Sequence, residues 1–175
     1  MYGPPVDMSF KDLCHVTGVL SEIPREGQRP LNRNVQGMYM SRVLRLSNNN
    51  LADLDGLEYT LGLLLARPSK IGWLDLSFNK LKSIDSVLCN LQELHVLYLH
   101  GNRIWNQSAI DKLGALQHLH TITLHGNPIE HTQNYRSYAI SALPKLKKMD
   151  FSSVTRNERA LAKIRRCCPT YANDF

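Results

Sequence analysis

His100 and His125 occupy the same place in two copies of one phrase, Leu-His-Gly-Asn. On neighbouring strands the two imidazoles stand within about 5 Å of each other, a separation at which they can share a metal ion. A metal asks for further ligands, and the residues beside them, Tyr98 and Thr123, are poor ones. Ser77, His100 and Asp75 can be drawn together as a nucleophile, base and orienting acid. Adjacent strands bring almost any such trio together, and nothing in the sequence signals an oxyanion donor or a substrate pocket. The Gly-Asn turns recur with the strands and form no glycine-rich phosphate cradle. Cys14, Cys89, Cys167 and Cys168 match no zinc spacing, and the adjacent pair is poorly placed for a disulfide, so all four are expected as reduced thiols. The reading at this level is no catalytic residue, no metal and no cofactor.

The elements that position these residues repeat. Four copies of Leu-x-Leu-x-x-Asn align: Leu44 to Asn49, Leu74 to Asn79, Leu97 to Asn102 and Ile122 to Asn127. Each has an apolar residue two positions later, at Leu51, Leu81, Ile104 and Ile129, and the asparagines are 30, 23 and 25 residues apart. A degraded fifth copy follows at Leu146-Lys-Lys-Met149-Asp-Phe151. This is the leucine-rich-repeat pattern. It predicts an α/β solenoid: a horseshoe with parallel concave strands and short convex helices, capped at both ends. In Leu-x-Leu the leucines point to one side of a short strand and the middle residue to the other. One repeat cannot bury its leucines alone, so copies stack into a continuous core. The asparagine amide both donates and accepts, and so satisfies buried loop groups at the turn.

The residues flanking the core leucines form the concave face. Arg45, Trp73, Asp75, Val96, Tyr98, His100, Thr123, His125 and Lys148 are the expected partner-binding residues, with Trp73, Val96 and Tyr98 as an aromatic-apolar centre and the charges as its rim. Two readings stay open for Trp73: offered to a partner, or covered by the chain's own N-terminal arm.

The chain divides into an arm and cap at 1–40, repeats at 41–152 and a basic helix and tail at 153–175. The repeats fall at about 41–70, 71–93, 94–118 and 119–145, with the degraded copy at 146–152. The arm holds Pro4, Pro5, Pro24 and Pro30 and shows no period, so an extended segment with one short helix, Phe10 to Val19, is expected. Convex helices are expected around Leu57 to Leu65, closed by Pro68, and from Ile84 to Leu94. Trp105-Asn-Gln107 interrupts the third return, and Ile110, Leu113 and Leu116 resume it. Thr155-Arg-Asn-Glu158 is a capping box that starts a last helix, with Leu161 and Ile164 laid on the fold. Arg159, Lys163, Arg165 and Arg166 are its expected contact residues, Arg159, Lys163 and Arg166 facing solvent.

The 175 residues are 43% apolar and 21% charged with a net charge of +6, the composition of a globular chain and not of a fibrous or disordered one. No apolar run approaches the roughly 20 residues of a membrane span. The start lacks the basic and apolar segments of a secretory signal, so an intracellular protein is expected and the sequon at Asn106 is read as chance. The basic excess lies in the tail, where five positive residues in 156–175 face two negative ones. Without interleaved aromatics that excess reads as a surface for an acidic protein, with nucleic acid unlikely as a partner.

Pro4-Pro5-Val-Asp7-Met-Ser9-Phe10, Gly27-Gln-Arg-Pro30-Leu31, Trp73 to Asn79, Leu97 to Asn102 and Leu124 to Pro128 resemble the leucine-rich-repeat-containing protein fifty-one family. Asn127-Pro128, the Tyr135-Arg136 helix and Leu143-Pro-Lys-Leu146 resemble the C-terminal cap of intracellular repeat proteins. The likeness runs from about Pro4 to Arg159, and departs at Trp105 to Ser108 and after Lys163. It implies a small cytoplasmic repeat protein of ciliated eukaryotes, with no enzymatic activity attached. Repeat type and size are also similar to those of the leucine-rich light chain of axonemal outer-arm dynein. The expected function is a protein–protein interaction scaffold, a structural or adaptor part of the ciliary or flagellar axoneme. Its expected partners are axonemal proteins and tubulin, with no membrane and no small-molecule substrate. The alternative is a soluble cytosolic adaptor regulating a phosphatase or another enzyme.

Overall fold

Each Leu-x-Leu is a short strand, because the period-2 alternation lasts only until the asparagine turns the chain. The protein, a computed structural model, is described for the backbone of residues 3–167 and the side chains of 3–164. The elements are β1 (Val6–Asp7), β2 (Val43–Arg45), α1 (Leu57–Leu64), β3 (Trp73–Asp75), β4 (Val96–Tyr98), β5 (Thr121–Thr123), α2 (Tyr135–Ala142), β6 (Lys148–Met149), β7 (Ser152–Ser153) and α3 (Arg156–Cys167). The strands form one sheet in chain order. All neighbours from β1 to β6 are parallel, and β7 turns back antiparallel on β6. Register places Leu44, Leu74, Leu97, Ile122 and Met149 side by side. All five are wholly buried.

The asparagines form the hydrogen-bonded column the repeat requires. Asn79 donates from Nδ2 to the carbonyls of Leu46 (2.9 Å) and Leu76 (3.0 Å), while its Oδ1 accepts from Leu51 N–H at 3.1 Å. Asn102 does the same with Leu76, Leu99 and Leu81, and Asn127 with Leu99, Leu124 and Ile104. Each amide therefore stitches its own turn to the preceding one.

The convex side differs from expectation in helix type. The first return, lengthened by an insertion, holds the α-helix α1, and the fourth holds α2. The two between are 3₁₀ helices at Ser86–Asn90 and Gln107–Ala115. Repeats of 23 and 25 residues leave too few residues for a relaxed α-turn, and the tighter coil spans the same arc. Asn106 does not break the third return: its Oδ1 accepts from Ser108 N–H at 3.0 Å and caps the helix.

The arm needs correction too. Val6 and Met8 are wholly buried, and β1 pairs with β2. Val6-Asp-Met8 is thus a repeat strand without leucine, and the arm's helix is a 3₁₀ turn at Val16–Ser21, not Phe10 to Val19. Farther on, the arm is held by a bridge between Tyr39 and Leu65, beyond α1.

At the other end α3 begins with the expected capping box. Thr155 N–H donates to Glu158 Oε2 at 2.8 Å, and Glu158 N–H donates to Thr155 Oγ1 at 3.2 Å. Its orientation differs from the expected one, although Lys163 is exposed as expected. Ala162 is buried, whereas Leu161 and Ile164 are exposed by 57% and 62%. Arg136 on α2 sets this rotation by donating to Glu158 Oε1 (2.7 Å) and to the carbonyls of Met149 and Ser153. Arg159, expected in solvent, donates to the Leu146 carbonyl.

Candidate functional site

Between the core leucines, one row of the concave face reads Asp7, Arg45, Asp75, Tyr98 and Thr123 across five strands. Arg45 lies between two carboxylates, 3.3 Å from Asp7 Oδ2 and 3.7 Å from Asp75 Oδ2. Each acid is fixed by the serine two residues on: Asp75 Oδ1 accepts from Ser77 N–H (3.0 Å) and Oγ–H (2.6 Å), and Asp7 is bound the same way by Ser9. Two expected contact residues are therefore not open to a partner. Asp75 is committed to Ser77 and Arg45. Thr123 is fully buried, with its Oγ1 2.8 Å from His100 Nδ1. Both position their neighbours.

The aromatic centre forms, and it is larger than expected. Trp73 and Tyr98 meet edge to face at 5.6 Å. Val96 pairs in register with Trp73. Tyr98 is 5.6 Å from Phe151, and His100 and His125 stack in parallel at 4.7 Å and 9°. Phe151 meets both imidazoles edge-on, and Phe78 meets His100 at 5.0 Å. A continuous ring contact thus runs diagonally from Trp73 on β3 to the turn after β6. Burial pushes the Tyr98 hydroxyl pKa up, with Asp75 adding to it. Burial, then His125, pushes the His100 imidazole down, so it favours the neutral ring. His125 Nδ1 is 3.2 Å from Asp150 Oδ1. The indole N–H of Trp73 is enclosed without a hydrogen-bond partner among the described residues.

Phe78 and Phe151 are members of this aromatic face that the repeat pattern does not indicate. Phe78 occupies the turn slot filled by Gly101 and Gly126 in the next copies, and all three have positive φ: 52°, 68° and 68°. Its ring covers the place where a Gly101 side chain would stand, 2.6 Å from the position of a Cβ. The visible signal was a bulky residue in a glycine slot. Phe151 was expected in a core leucine slot of the fifth repeat. Instead the chain reverses through Asp150 and Phe151, with φ of 49° and 62°, and the ring swings out to 62% exposure. Asp150 then closes the sheet by accepting from Leu124 and His125 N–H and from Tyr135 Oη–H at 2.8 Å. Burial and that carboxylate push the Tyr135 hydroxyl pKa well up.

Lys148 is exposed on β6, and Lys163 is exposed on α3. The side chains of Arg165, Arg166 and Cys167, and the whole of Cys168, lie outside the described residues. Cys14 and Cys89 are free thiols, the Cys89 pKa raised mainly by burial. Among the described residues no group of three histidine, cysteine or acidic side chains is arranged to hold a metal, and no helix is long and apolar enough to cross a membrane.

A parallel sheet of Leu-x-Leu strands stitched by an asparagine column, with an aromatic face inside its curve, defines the leucine-rich-repeat class, and a leucine-rich repeat family model matches residues 40–166. Within that class the chain belongs to the leucine-rich repeat-containing protein 51 family. It is 46% identical over 161 residues to the Bos taurus member and 42% identical to the Homo sapiens member, each match covering 92% of this chain and 84% of the relative. It is also 32% identical over 118 residues to U2 small nuclear ribonucleoprotein A′ of Arabidopsis thaliana, covering 67% of this chain and 44% of that protein. Among solved structures, the Drosophila melanogaster SNF/U2A′ complex matches with a TM-score of 0.60 at 23% identity, covering 78% of this chain and 86% of that one, a likeness of fold.

Proposed function

We propose that this protein is a non-enzymatic protein–protein interaction scaffold, a structural or adaptor component of the ciliary or flagellar axoneme, and that the diagonal aromatic stripe holds its partner. One observation carries the reading: Phe78 and Phe151 hold positive φ while remaining 53% and 62% exposed. A bulky residue in that conformation costs on the order of 1–3 kcal/mol, and burial normally compensates. Here the rings are instead presented on a rigid sheet. Rigid aromatic anchors with a charged rim are the anatomy of an interface hot spot. The axonemal setting rests on the resemblance to a family of ciliated eukaryotes.

Isolated cilia expressing the wild-type chain or the Phe78→Ala/Phe151→Ala double variant are extracted with detergent, then with rising salt. The wild type is expected to stay with the microtubules until high salt, and the double variant to leave with detergent. Release of the wild type by detergent alone overturns the axonemal placement and favours a soluble regulatory adaptor. Equal retention of the two forms overturns the aromatic site.

A further inference from the structure

The edge of the sheet where the strands begin carries a second surface, away from the phenylalanines. A continuous backbone ladder crosses it: Gly72 N–H donates to the Arg42 carbonyl, His95 to Gly72, His120 to His95 and Lys147 to His120, at 2.7–3.0 Å. The residues of this row therefore stand one strand spacing apart, about 4.8 Å. Toward its C-terminal end the row is cationic. His95 contacts His118 and His120, each at 5.6 Å between rings. Lys145, Lys147 and Lys148 are exposed and make no ion pair among the described residues. Arg159 arrives from α3 and donates to the carbonyl of Leu146, between Lys145 and Lys147. The tail helix is thus continuous with the sheet edge. His120 reports the crowding: burial first, then His95 and Lys147, with Lys148 adding less, push its pKa down.

The carboxylates that border this surface are already engaged. Glu93 is paired with Lys70 at 2.9 Å and with Arg42 at 3.7 Å. Glu158 is held by Arg136, and Asp150 by Tyr135 and the β5 backbone. Among the described residues no carboxylate pairs with the lysines, so the complement sought is an outside anion. We infer that His118, His120, Lys145, Lys147, Lys148 and Arg159 form a docking surface for an acidic, extended polypeptide segment. The spacing fits that ligand. From β4 to β6 the row covers about 9.6 Å, the reach of three extended residues, so acidic side chains at alternate positions project onto it together. A nucleic acid fits less well: no phenylalanine, tyrosine or tryptophan stands among Arg42, Gly72, His95, His120 and Lys147, and the His95 ring is stacked on His118, leaving little platform for bases.

This surface shares Lys148 with the charged rim of the concave face but none of the rings of the aromatic stripe, and its test is separable from that of the stripe. The probe is a short fluorescein-labelled peptide of alternating glutamate and glycine, titrated with the full chain by anisotropy at low ionic strength. Saturable binding that weakens as salt rises is expected. The Lys145→Glu/Lys147→Glu/Lys148→Glu variant should bind at least about tenfold more weakly. The corresponding triple glutamine variant should fall between the two, and Phe78→Ala/Phe151→Ala should match the wild type. Because the lysines are exposed, both lysine variants should melt with the wild type, which separates lost charge from lost fold. Absence of wild-type binding, or unchanged affinity in the glutamate variant, overturns the inference. So does a single-stranded oligonucleotide of equal charge that displaces the peptide at lower concentration, which would reassign the surface to nucleic acid.

Discussion

The asparagine column makes an unequal prediction for two residues that look equivalent in the sequence. Asn102→Ala removes donors from the Leu76 and Leu99 carbonyls and the acceptor of Leu81 N–H. Both carbonyls keep another amide, the first from Asn79 at 3.0 Å and the second from Asn127 at 2.9 Å. Only the Leu81 N–H is orphaned. Asn127→Ala leaves Leu99 with Asn102, but strips the Leu124 carbonyl of the donor the column gives it and orphans Ile104 N–H. There is no fifth asparagine to help, because the fifth copy has lost its own. A buried polar group left unpaired costs about 1–3 kcal/mol. Asn102→Ala should therefore cost about 2 kcal/mol and Asn127→Ala about 4 kcal/mol. Urea unfolding followed by circular dichroism reads the difference. With a slope of about 2 kcal/mol per molar, the midpoints of the two variants should lie about 1 M apart. An unchanged slope keeps the comparison two-state. If Asn102→Ala is as damaging as Asn127→Ala, or more so, the carbonyls are not shared and the column is not a cooperative network.

Three further outcomes follow from the site and the caps. Phe78→Gly removes a whole aromatic ring, yet should melt within about 1 kcal/mol of the wild type, because relief at φ 52° offsets the lost ring contacts; a buried phenylalanine would cost about 3–5 kcal/mol. Gly101→Ala should destabilise by about 1–2 kcal/mol through its positive φ and the Phe78 ring 2.6 Å away, and a Phe78→Ala background should relieve only the ring component in a double-mutant cycle of melting curves. Glu158 is held down to about 2, first by its hydrogen bond to Arg136 and then by the Thr155 backbone. Its folded pKa lies below the ordinary 4.5, so its contribution is present above that value and lost as pH falls toward about 2. Hydrogen exchange should therefore show α3 fraying in that window before the sheet, and Glu158→Gln should abolish the pH dependence.

The repeat made the sheet legible because it is a local chemical necessity: leucines on one side of a strand, and an amide that can donate twice and accept once. Where those residue types were replaced, the pattern went silent. Val6-Asp-Met8 builds β1 with the same alternation but has neither leucine nor asparagine, so it read as an arm. Helix type on the convex side was decided by the arc each repeat must span, which hydrophobic spacing does not encode. Phe151 was assigned by register to the core, and the reversal at Asp150 moved it to the surface. Leu161 and Ile164 have the spacing of a buried face, but Arg136 and Arg159 fix α3 through long-range bonds to a carboxylate and a carbonyl. Of the concave residues, Arg45, Trp73, Asp75, Val96, Tyr98, Thr123 and Lys148 lie on strands and His100 and His125 just after them, but their availability was not legible: Asp75 and Thr123 are spent on their neighbours, while the phenylalanine rings that remain exposed stand in turns.

The two surfaces diverge along the solenoid, and that divergence suits an adaptor. On β3 the aromatic stripe begins at Trp73, near the start of the strand, and by β6 it has crossed to Phe151, past the strand's end. The cationic row keeps to the starting edge and gathers at Lys147 and Lys148. At β6 the two are three or four residues apart in the chain, separated by the reversal at Asp150 and Phe151. Adjacent elements of one helix can bridge that gap, but a single extended segment lying along the cationic row runs across the strands, away from Phe151. The stripe is aromatic and fixed by ring contacts, whereas the row is charged and carried on flexible lysines. The first would select by shape and yield only to high salt, and the second would attract at longer range and yield to salt sooner. A scaffold so built can hold one apolar partner firmly while gripping an acidic one in a salt-dependent way.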